Sequence, residues 1–179
     1  MTAINNGVFE DTDITEVILP ETLQTIGERV FEDCENLTEI TIPGSVTSIG
    51  DNAFYECYSL NSVTFKSGSE PLYIGYQDGS TADEGPFYTS PLTYIYLDRD
   101  LRPSEEYAGQ ISAWDEGIFA HKQSVASTTV KLGHNVKTIH NFMFAHLPIT
   151  SLTIPGSVNT IGNNVFDGCV NLTHLIYEP

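Results

Sequence analysis

Three cysteines are the side chains in this sequence best suited to nucleophilic chemistry. Each lies three residues after a phenylalanine, a position filled by Cys34, Cys57 and Cys169, and elsewhere by Thr12, Ser90 and Leu147. A position that accepts Cys, Thr, Ser and Leu is a small packing site, so we interpret the cysteines as buried structural thiols. A disulfide between Cys34 and Cys57 is the alternative, although an odd count does not indicate a disulfide framework. No accompanying His–Asn or His–Asp set indicates a catalytic cysteine.

Histidines and carboxylates also recur at matching positions. His121 and His146 end two Phe-Ala-His triplets and are expected to stack, which would suit a divalent metal, but two surface histidines are the favoured interpretation. Asp11, Asp33 and Glu56 share a second position and predict an acidic edge. Calcium is an alternative for that edge, yet no D-x-D-x-D-G loop supports it. We therefore predict a solvated edge, no metal and no cofactor.

These positions match because the sequence repeats. Residues 21–43 and 44–66 align at an offset of 23, and residues 134–155 and 156–179 return to the same pattern. Residues 4–20 supply a partial first unit, and the segments around Phe87 and Phe119 supply two degenerate ones. The pattern predicts about seven stacked units of 22–23 residues, with insertions near 75–86 and 102–116. We expect one domain over 1–179, regular in 1–66 and 134–179 and irregular in 67–133.

A period of 20–29 residues with Leu or Ile at fixed offsets is typical of a leucine-rich-repeat solenoid, an α/β repeat class built here of short strands and turns. One unit cannot bury its apolar face alone, so each must stack on the next. In residues 37–42 the pattern directs Leu37, Ile40 and Ile42 inward, while Glu39 and Thr41 face solvent. Pro43 marks the end of the strand because proline cannot continue a central ladder.

The unit I-G-x-x-x-F-x-x-C-x-x-L-x-x-[IV]-x-[IF], followed by P-x-x-[LV], resembles the BspA-like leucine-rich repeats. One copy carries Ile26-Gly27, Phe31, Cys34, Leu37, Ile40 and Ile42, and another carries Ile161-Gly162, Phe166, Cys169, Leu172 and Leu175. The resemblance covers nearly the whole chain and is weakest over 67–133. It implies a curved solenoid in a secreted or surface-exposed bacterial protein, and for some members adhesion to host proteins or other cells.

Charge and composition narrow the classes of partner. Seven Lys and Arg against 24 Asp and Glu give a net charge of -17, which argues against nucleic acid as a partner. No apolar run approaches the roughly 18 residues of a membrane span, and the first residues do not form a signal peptide. No catalytic sequence motif such as G-x-S-x-G or H-E-x-x-H occurs, so we predict that the chain is not an enzyme.

Aromatic residues indicate where binding would occur. Most outward strand positions are small and polar, but one unit carries Tyr94 and Tyr96, and exposed aromatics often anchor interfaces. The neighbouring irregular segment adds Tyr73, Tyr76, Phe87, Tyr88, Tyr107 and Trp114. Insertions in repeat proteins often form the binding face, so we predict a binding patch at Tyr94, Tyr96, Tyr76, Tyr88, Tyr107 and Trp114. The alternative is that these rings repair the core where the repeat fails.

The sequence favours a binding module of a larger cell-surface or secreted protein, with a host or matrix protein as its partner. A carbohydrate-binding module is the second hypothesis, because aromatic rings stack on sugars, and a structural spacer is the third. The chain begins within a repeat and ends just after a strand, which predicts an excerpt of a longer array or end-to-end self-association through uncapped units.

Overall fold

Short parallel strands make up the regular structure in the computed structural model, which describes residues 1–75, 85–103, 118–119 and 125–179. In chain order the strands are β1 (Ala3–Ile4), β2 (Thr25–Ile26), β3 (Glu39–Ile42), β4 (Ser48–Ile49), β5 (Ser62–Phe65), β6 (Leu72–Ile74), β7 (Tyr94–Leu97), β8 (Leu101–Pro103), β9 (Thr129–Leu132), β10 (Thr138–Ile139), β11 (Ser151–Ile154), β12 (Thr160–Ile161) and β13 (His174–Tyr177). None of the described segments is a helix with the length and apolar character needed to cross a bilayer.

The strands alternate between two stacks, as a repeating unit requires. The four-residue strands form the major stack, with β3-β5-β7-β9 in one sheet and β11-β13 in another. The shorter strands form the minor stack, with β1-β2-β4-β6-β8 in one sheet and β10-β12 in another. All pairings are parallel, and Ile40, Val63, Ile95 and Val130 lie in one register row. This confirms the predicted stacking and shows that both stacks are interrupted between the same two units.

Alternation along each strand separates core from solvent. In β3, Ile40 and Ile42 are buried while Glu39 and Thr41 are exposed, as predicted. β5 and β7 follow the same period of two. Burying one face of each strand is the main stabilising contribution, roughly 25 cal/mol for each Å² of apolar surface.

Seven phenylalanines form a continuous column through the core. Their ring centroids lie 5.1 to 6.3 Å apart in the order Phe9, Phe31, Phe54, Phe87, Phe119, Phe144 and Phe166. The column confirms the predicted seven units within the described residues. Phe87 and Phe119 are fully buried members of it, so the Phe87 ring fills the core in the irregular segment, as the alternative of core repair predicts.

The turns around five of the seven phenylalanines, Phe9, Phe31, Phe54, Phe144 and Phe166, contain left-handed residues on both sides of the ring. The positive φ values fall two positions before it, at Gly7, Arg29, Asn52, Phe142 and Asn164, and two positions after it, at Asp11, Asp33, Glu56, His146 and Gly168. This conformation costs a non-glycine residue about 1–2 kcal/mol. Backbone hydrogen bonds to the next unit hold it: the N–H groups of residues 7, 9 and 11 donate to the carbonyls of residues 28, 30 and 32.

One arginine is buried among the turns that join the two stacks. The Arg99 side chain is 2% exposed, and its guanidinium donates to the carbonyl oxygens of Gly44, Val46 and Glu70. Burial lowers the pKa of Arg99 from its usual value. A Cβ on Gly68 would lie 2.3 Å from the Gly44 oxygen and 2.9 Å from the Arg99 Cζ, so only glycine permits this close approach.

Candidate functional site

Tyr94 and Tyr96 lie on the outward face of the major stack, as predicted. Register places Tyr94 between Ser62 and Thr129, and Tyr96 lies one row further along between Thr64 and Lys131. Both tyrosines are half-buried. Their row neighbours are small polar side chains and one lysine, so the two tyrosine rings are the largest apolar groups among these six outward residues.

A cation contacts the tyrosine pair. The Lys131 Nζ lies 5.8 Å from the centroid of the Tyr94 ring, within the range of a cation–π interaction. Burial raises the pKa of Tyr96, and the nearby Asp98 carboxylate adds to that shift. The Tyr96 hydroxyl therefore stays protonated at neutral pH and can donate a hydrogen bond.

A cleft opens beside Tyr96, between β9 and β11. Its volume is about 530 Å³, within the usual size range of ligand sites. The lining is mostly polar and comprises Tyr96, Thr128, Thr129, Val130, Lys131, Leu132, Gly133, His134, Thr150, Ser151, Thr153 and Glu178. The cleft exists because β9 and β11 belong to separate sheets, whereas the other successive strands of the major stack pair directly.

A proline accounts for the opening. In each paired interface the residue after the later strand donates its N–H to the end of the earlier strand: Lys66 to Ile42, Asp98 to Phe65, Gly133 to Leu97 and Glu178 to Ile154. The residue after β11 is Pro155, which has no N–H to give to Leu132. The missing donor removes the last ladder bond, and the two strand edges face each other unpaired.

The same cause operates at the first unit. The repeat pattern of the partial unit 4–20 predicts a strand at residues 16–19, but they do not form one, so this prediction is wrong. The strand that would pair with them, β3, is followed by Pro43, which likewise cannot donate. A second cavity of about 300 Å³ results, and Glu16, Glu21 and Glu39 make its lining acidic.

The remaining predicted patch residues are not gathered at this cleft. Tyr88 is half-buried in the turn that follows Phe87, outside the strand face. Tyr76, Tyr107 and Trp114 lie outside the described residues, so their part of the predicted patch remains a prediction. Sequence reasoning missed Lys131, His134 and Thr153; the signal was Pro155 directly after the neighbouring strand.

The three cysteines are free and buried, which agrees with structural thiols and not with a disulfide. Their position has a more definite chemistry than small size. Each side chain donates to the phenylalanine carbonyl of the previous unit, in the pairs Cys34–Phe9, Cys57–Phe31 and Cys169–Phe144, and Ser90 does the same to Phe54. Among the described residues the position therefore selects a small hydrogen-bond donor, with Leu147 as the exception.

Replacing Cys57 tests that assignment. Burial raises the pKa of the Cys57 thiol far above its usual range, so it is a protonated donor. We expect Cys57→Ala to lower the free energy of unfolding by about 1–2 kcal/mol, through the lost bond and lost volume. Cys57→Ser keeps a donor, as Ser90 does, and should recover part of the loss. Urea denaturation measures both; equal losses would contradict the hydrogen-bonding role.

The predicted acidic edge is present. Asp11, Asp33 and Glu56 occupy the same left-handed position in successive units, and Asp33 and Glu56 are hydrogen-bonding neighbours. The described residues contain no group of three or more His, Cys, Asp or Glu side chains placed to hold a metal ion. His146 is exposed in its turn, and the predicted pair with His121 lies outside the described residues.

The pH dependence of stability tests the electrostatics of this edge. Burial, followed by the contact with Glu56, raises the pKa of Asp33 above its ordinary 3.8. The folded chain therefore binds this proton more tightly than the unfolded chain. The free energy of unfolding should therefore increase as the pH falls from 7 through the pKa that Asp33 has in the folded chain. This increase should level off below the pKa that Asp33 has in the unfolded chain.

Asp33→Asn mimics the protonated carboxyl and should raise Tm at pH 7 by roughly 1–3 °C. The variant should also gain less stability than the parent on acidification to pH 4.5. Thermal melts at both pH values measure this. Glu35→Gln, at an exposed side chain, removes the same charge and serves as the control. An unchanged pH response in Asp33→Asn would contradict the raised pKa.

The comparisons with known proteins agree with this architecture. The family model described as BspA type leucine-rich repeat region matches residues 2–108 and 85–179, with six copies of the repeat. A search of curated proteins found no match.

Two solved structures are similar to the chain. One is a leucine-rich repeat protein from Bacteroides ovatus, with 23% identity, a TM-score of 0.43, and coverage of 98% of this chain and 46% of that one. The other is a leucine-rich cell surface protein from Faecalibacterium prausnitzii, with 20% identity, a TM-score of 0.39, and coverage of 99% and 57%. The chain thus spans about half the length of each of these proteins.

The family model accounts for nearly every residue, including the irregular segment that the sequence pattern covered least well. The phenylalanine column and the parallel strands show how the repeat builds the fold. The chain therefore belongs to the BspA-type leucine-rich-repeat family.

Proposed function

We propose that this chain is a non-catalytic recognition module of a bacterial surface or secreted protein, and that it binds a protein partner through the strand face around Tyr94 and Tyr96. The observation that carries the proposal is the position of Tyr96. Tyr96 borders the cleft of about 530 Å³ and also a third cavity of about 550 Å³, which lies along the turns at 44–45 and 66–69.

The surroundings of the tyrosines suit a protein interface. Hot spots of protein interfaces are enriched in Tyr and Arg side chains that fill pockets and are ringed by small polar contacts. Three of the four row neighbours of Tyr94 and Tyr96 are small and polar, namely Ser62, Thr64 and Thr129, and they provide such contacts; the fourth is Lys131. The net charge of -17 favours a partner with a basic surface.

A binding screen tests the proposal. The purified chain is tested against a panel of extracellular-matrix proteins and on a glycan array, beside the double variant Tyr94→Ala/Tyr96→Ala. We expect saturable binding to a protein of the panel, weakened at least about tenfold in the variant. Tyr58→Ala is the matched control, because Tyr58 is 41% exposed and lies in a turn, off the strand face.

The other outcomes have definite meanings. Binding that survives the double variant would contradict the assigned face. If the chain bound nothing on either panel and associated with itself increasingly as its concentration rose, a structural spacer that joins end to end would be favoured. The last strand offers a surface for such contacts, since Ile176 and Tyr177 of β13 are 51% and 64% exposed. Surface location would be checked by protease treatment of intact cells of the source organism.

A further inference from the structure

We propose that the cleft between β9 and β11 binds a carboxylated sugar unit of an oligosaccharide. This ligand class goes beyond the protein partner proposed above, and the site does not depend on that partner. Three features of the cleft support the assignment: its width, its unpaired polar groups and its charge.

The width limits the ligand to a compact group. An added β-strand would require the two strands to lie about 9.6 Å apart, twice the normal spacing. The two units remain joined below the cleft, where the Thr128 N–H donates to the Pro148 carbonyl over 3.2 Å. Behind it, the rings of Phe119 and Phe144 lie 6.3 Å apart. A peptide strand therefore does not fit between β9 and β11, and a pyranose ring would lie on the outward face, in the cleft of about 530 Å³, and not between the two strands.

Unpaired polar groups favour a ligand with many hydroxyls. The facing edges of β9 and β11 leave peptide N–H and C=O groups outside any ladder. The hydroxyls of Thr129, Ser151 and Thr153 line the same space. Polar groups in such a site require hydrogen-bond partners, from water or from a ligand. A sugar offers several donors and acceptors at once, and the Tyr96 ring at the rim can cover its C–H face.

Charge favours a carboxylate on that sugar. Three ion pairs join described residues, and they engage Arg29 and Lys66 but not Lys131. Lys131 lines the cleft with His134, and the Lys137 ammonium lies 3.3 Å from the His134 carbonyl oxygen. Lys131 is thus the one Lys or Arg side chain of the lining, and none of these ion pairs neutralises it. Glu178 is the carboxylate of the lining and suits a sugar hydroxyl as an acceptor.

The cavity of about 300 Å³ at the first unit, next to Pro43, provides a comparison for the charge of the cleft. It arises from the same backbone cause, but three glutamates line it and its lysine, Lys66, is paired with Glu21 at 2.6 Å. The two cavities therefore differ in charge and not in origin. An acidic sugar is expected at the cleft beside Lys131 and not at the first unit.

Calorimetric titration with defined sugars tests the proposal. The probes are 3′-sialyllactose and a disaccharide of galacturonic acid, each compared with its neutral counterpart, lactose or a disaccharide of galactose. We expect at least one acidic probe to bind with Kd on the order of 1 mM or tighter, and at least about tenfold more tightly than its neutral counterpart. In two-dimensional NMR, the amide signals of Lys131, Ser151 and Thr153 should shift.

Variants locate the interaction. Lys131→Gln should weaken the acidic probe about tenfold, while Lys131→Arg should keep most of the affinity because the charge remains. Lys66→Gln removes the same charge at the other cavity and should leave binding unchanged. Failure of both acidic probes to bind below about 10 mM would overturn the proposal, as would equal binding of the neutral sugars or an unaffected Lys131→Gln variant.

Discussion

Arg99→Met is expected to destabilise the protein by about 2–4 kcal/mol, because three backbone carbonyls lose a charged donor, each such hydrogen bond being worth about 1.5–3 kcal/mol. Relief of the buried charge offsets part of that loss, since burying a guanidinium is costly. The Arg99 donors join Gly44 and Val46 to Glu70, so the substitution also releases the contact between two turns. Urea denaturation measures the free energy of unfolding.

Two matched variants distinguish this role from general loss of charge. Arg29→Met removes a guanidinium that is about half exposed and paired with Glu10 and Glu32, and it should cost only about 0–1 kcal/mol. Arg99→Lys retains one ammonium and should recover part of the loss. If Arg99→Met were no more destabilising than Arg29→Met, the buried arginine would not hold the turns together.

Phe87→Ala is expected to cost about 3–5 kcal/mol, the usual range for removing a buried phenylalanine. The Phe87 ring stacks on Phe54 at 5.1 Å and on Phe119 at 5.8 Å, and its edge meets Phe65 at 6.2 Å. Units of a solenoid contact only their neighbours, so a cavity at the centre also weakens the coupling between the two halves. Urea unfolding should show a lower midpoint and a broader transition.

Phe9→Ala provides the comparison, because the same atoms are removed at the end of the column. Phe9 is only partly buried and stacks on one ring, Phe31, at 5.5 Å. We expect roughly half the loss seen for Phe87→Ala or less, with an unbroadened transition. Equal losses at the two positions would show that the irregular segment does not depend on Phe87 for its stacking.

The fold was predictable because burial in a repeat protein follows a short rule that the sequence states several times. Phe87 and Phe119 could be assigned even in the degenerate middle, since each precedes an apolar strand: Ile95 follows Phe87 by 8 residues and Val130 follows Phe119 by 11, against 9 from Phe31 to Ile40. The alternation of Ile40 and Ile42 with exposed residues follows from strand geometry alone. Each unit therefore predicts the contacts of its neighbour.

Features that depend on one residue meeting a distant backbone group were not predictable. Arg99 donates to backbone carbonyls 29 to 55 residues away in the chain. Every residue has a backbone carbonyl, so the sequence does not indicate which ones Arg99 contacts. The positive φ at Arg29 and Phe142 could not be predicted from those residue types, which do not favour it. Gly7 and Asn52 at the equivalent position do favour it and could have indicated these turns.

The candidate site was predictable only in part. The strand face and the exposure of Tyr94 and Tyr96 follow from the period of two. The cleft beside them does not, because Pro155 was recognisable as a turn residue while its missing N–H matters only opposite Leu132. Predicting the cleft requires the alignment of units and the direction of each ladder bond together.

The prolines after β3 and β11 have a consequence for how such arrays change by duplication. Each belongs to a copied segment, Thr41-Ile42-Pro43-Gly44-Ser45-Val46 and its twin at 153–158. Inserting another copy of a unit whose strand is followed by proline would add an open slot, that is, an unpaired edge between this strand and the strand of the preceding unit. Copying a unit whose strand ends like Phe65-Lys66 would instead extend the paired sheet. The number and spacing of slots along a lineage of these proteins would then be inherited with the unit, while the side chains around each slot remain free to diverge.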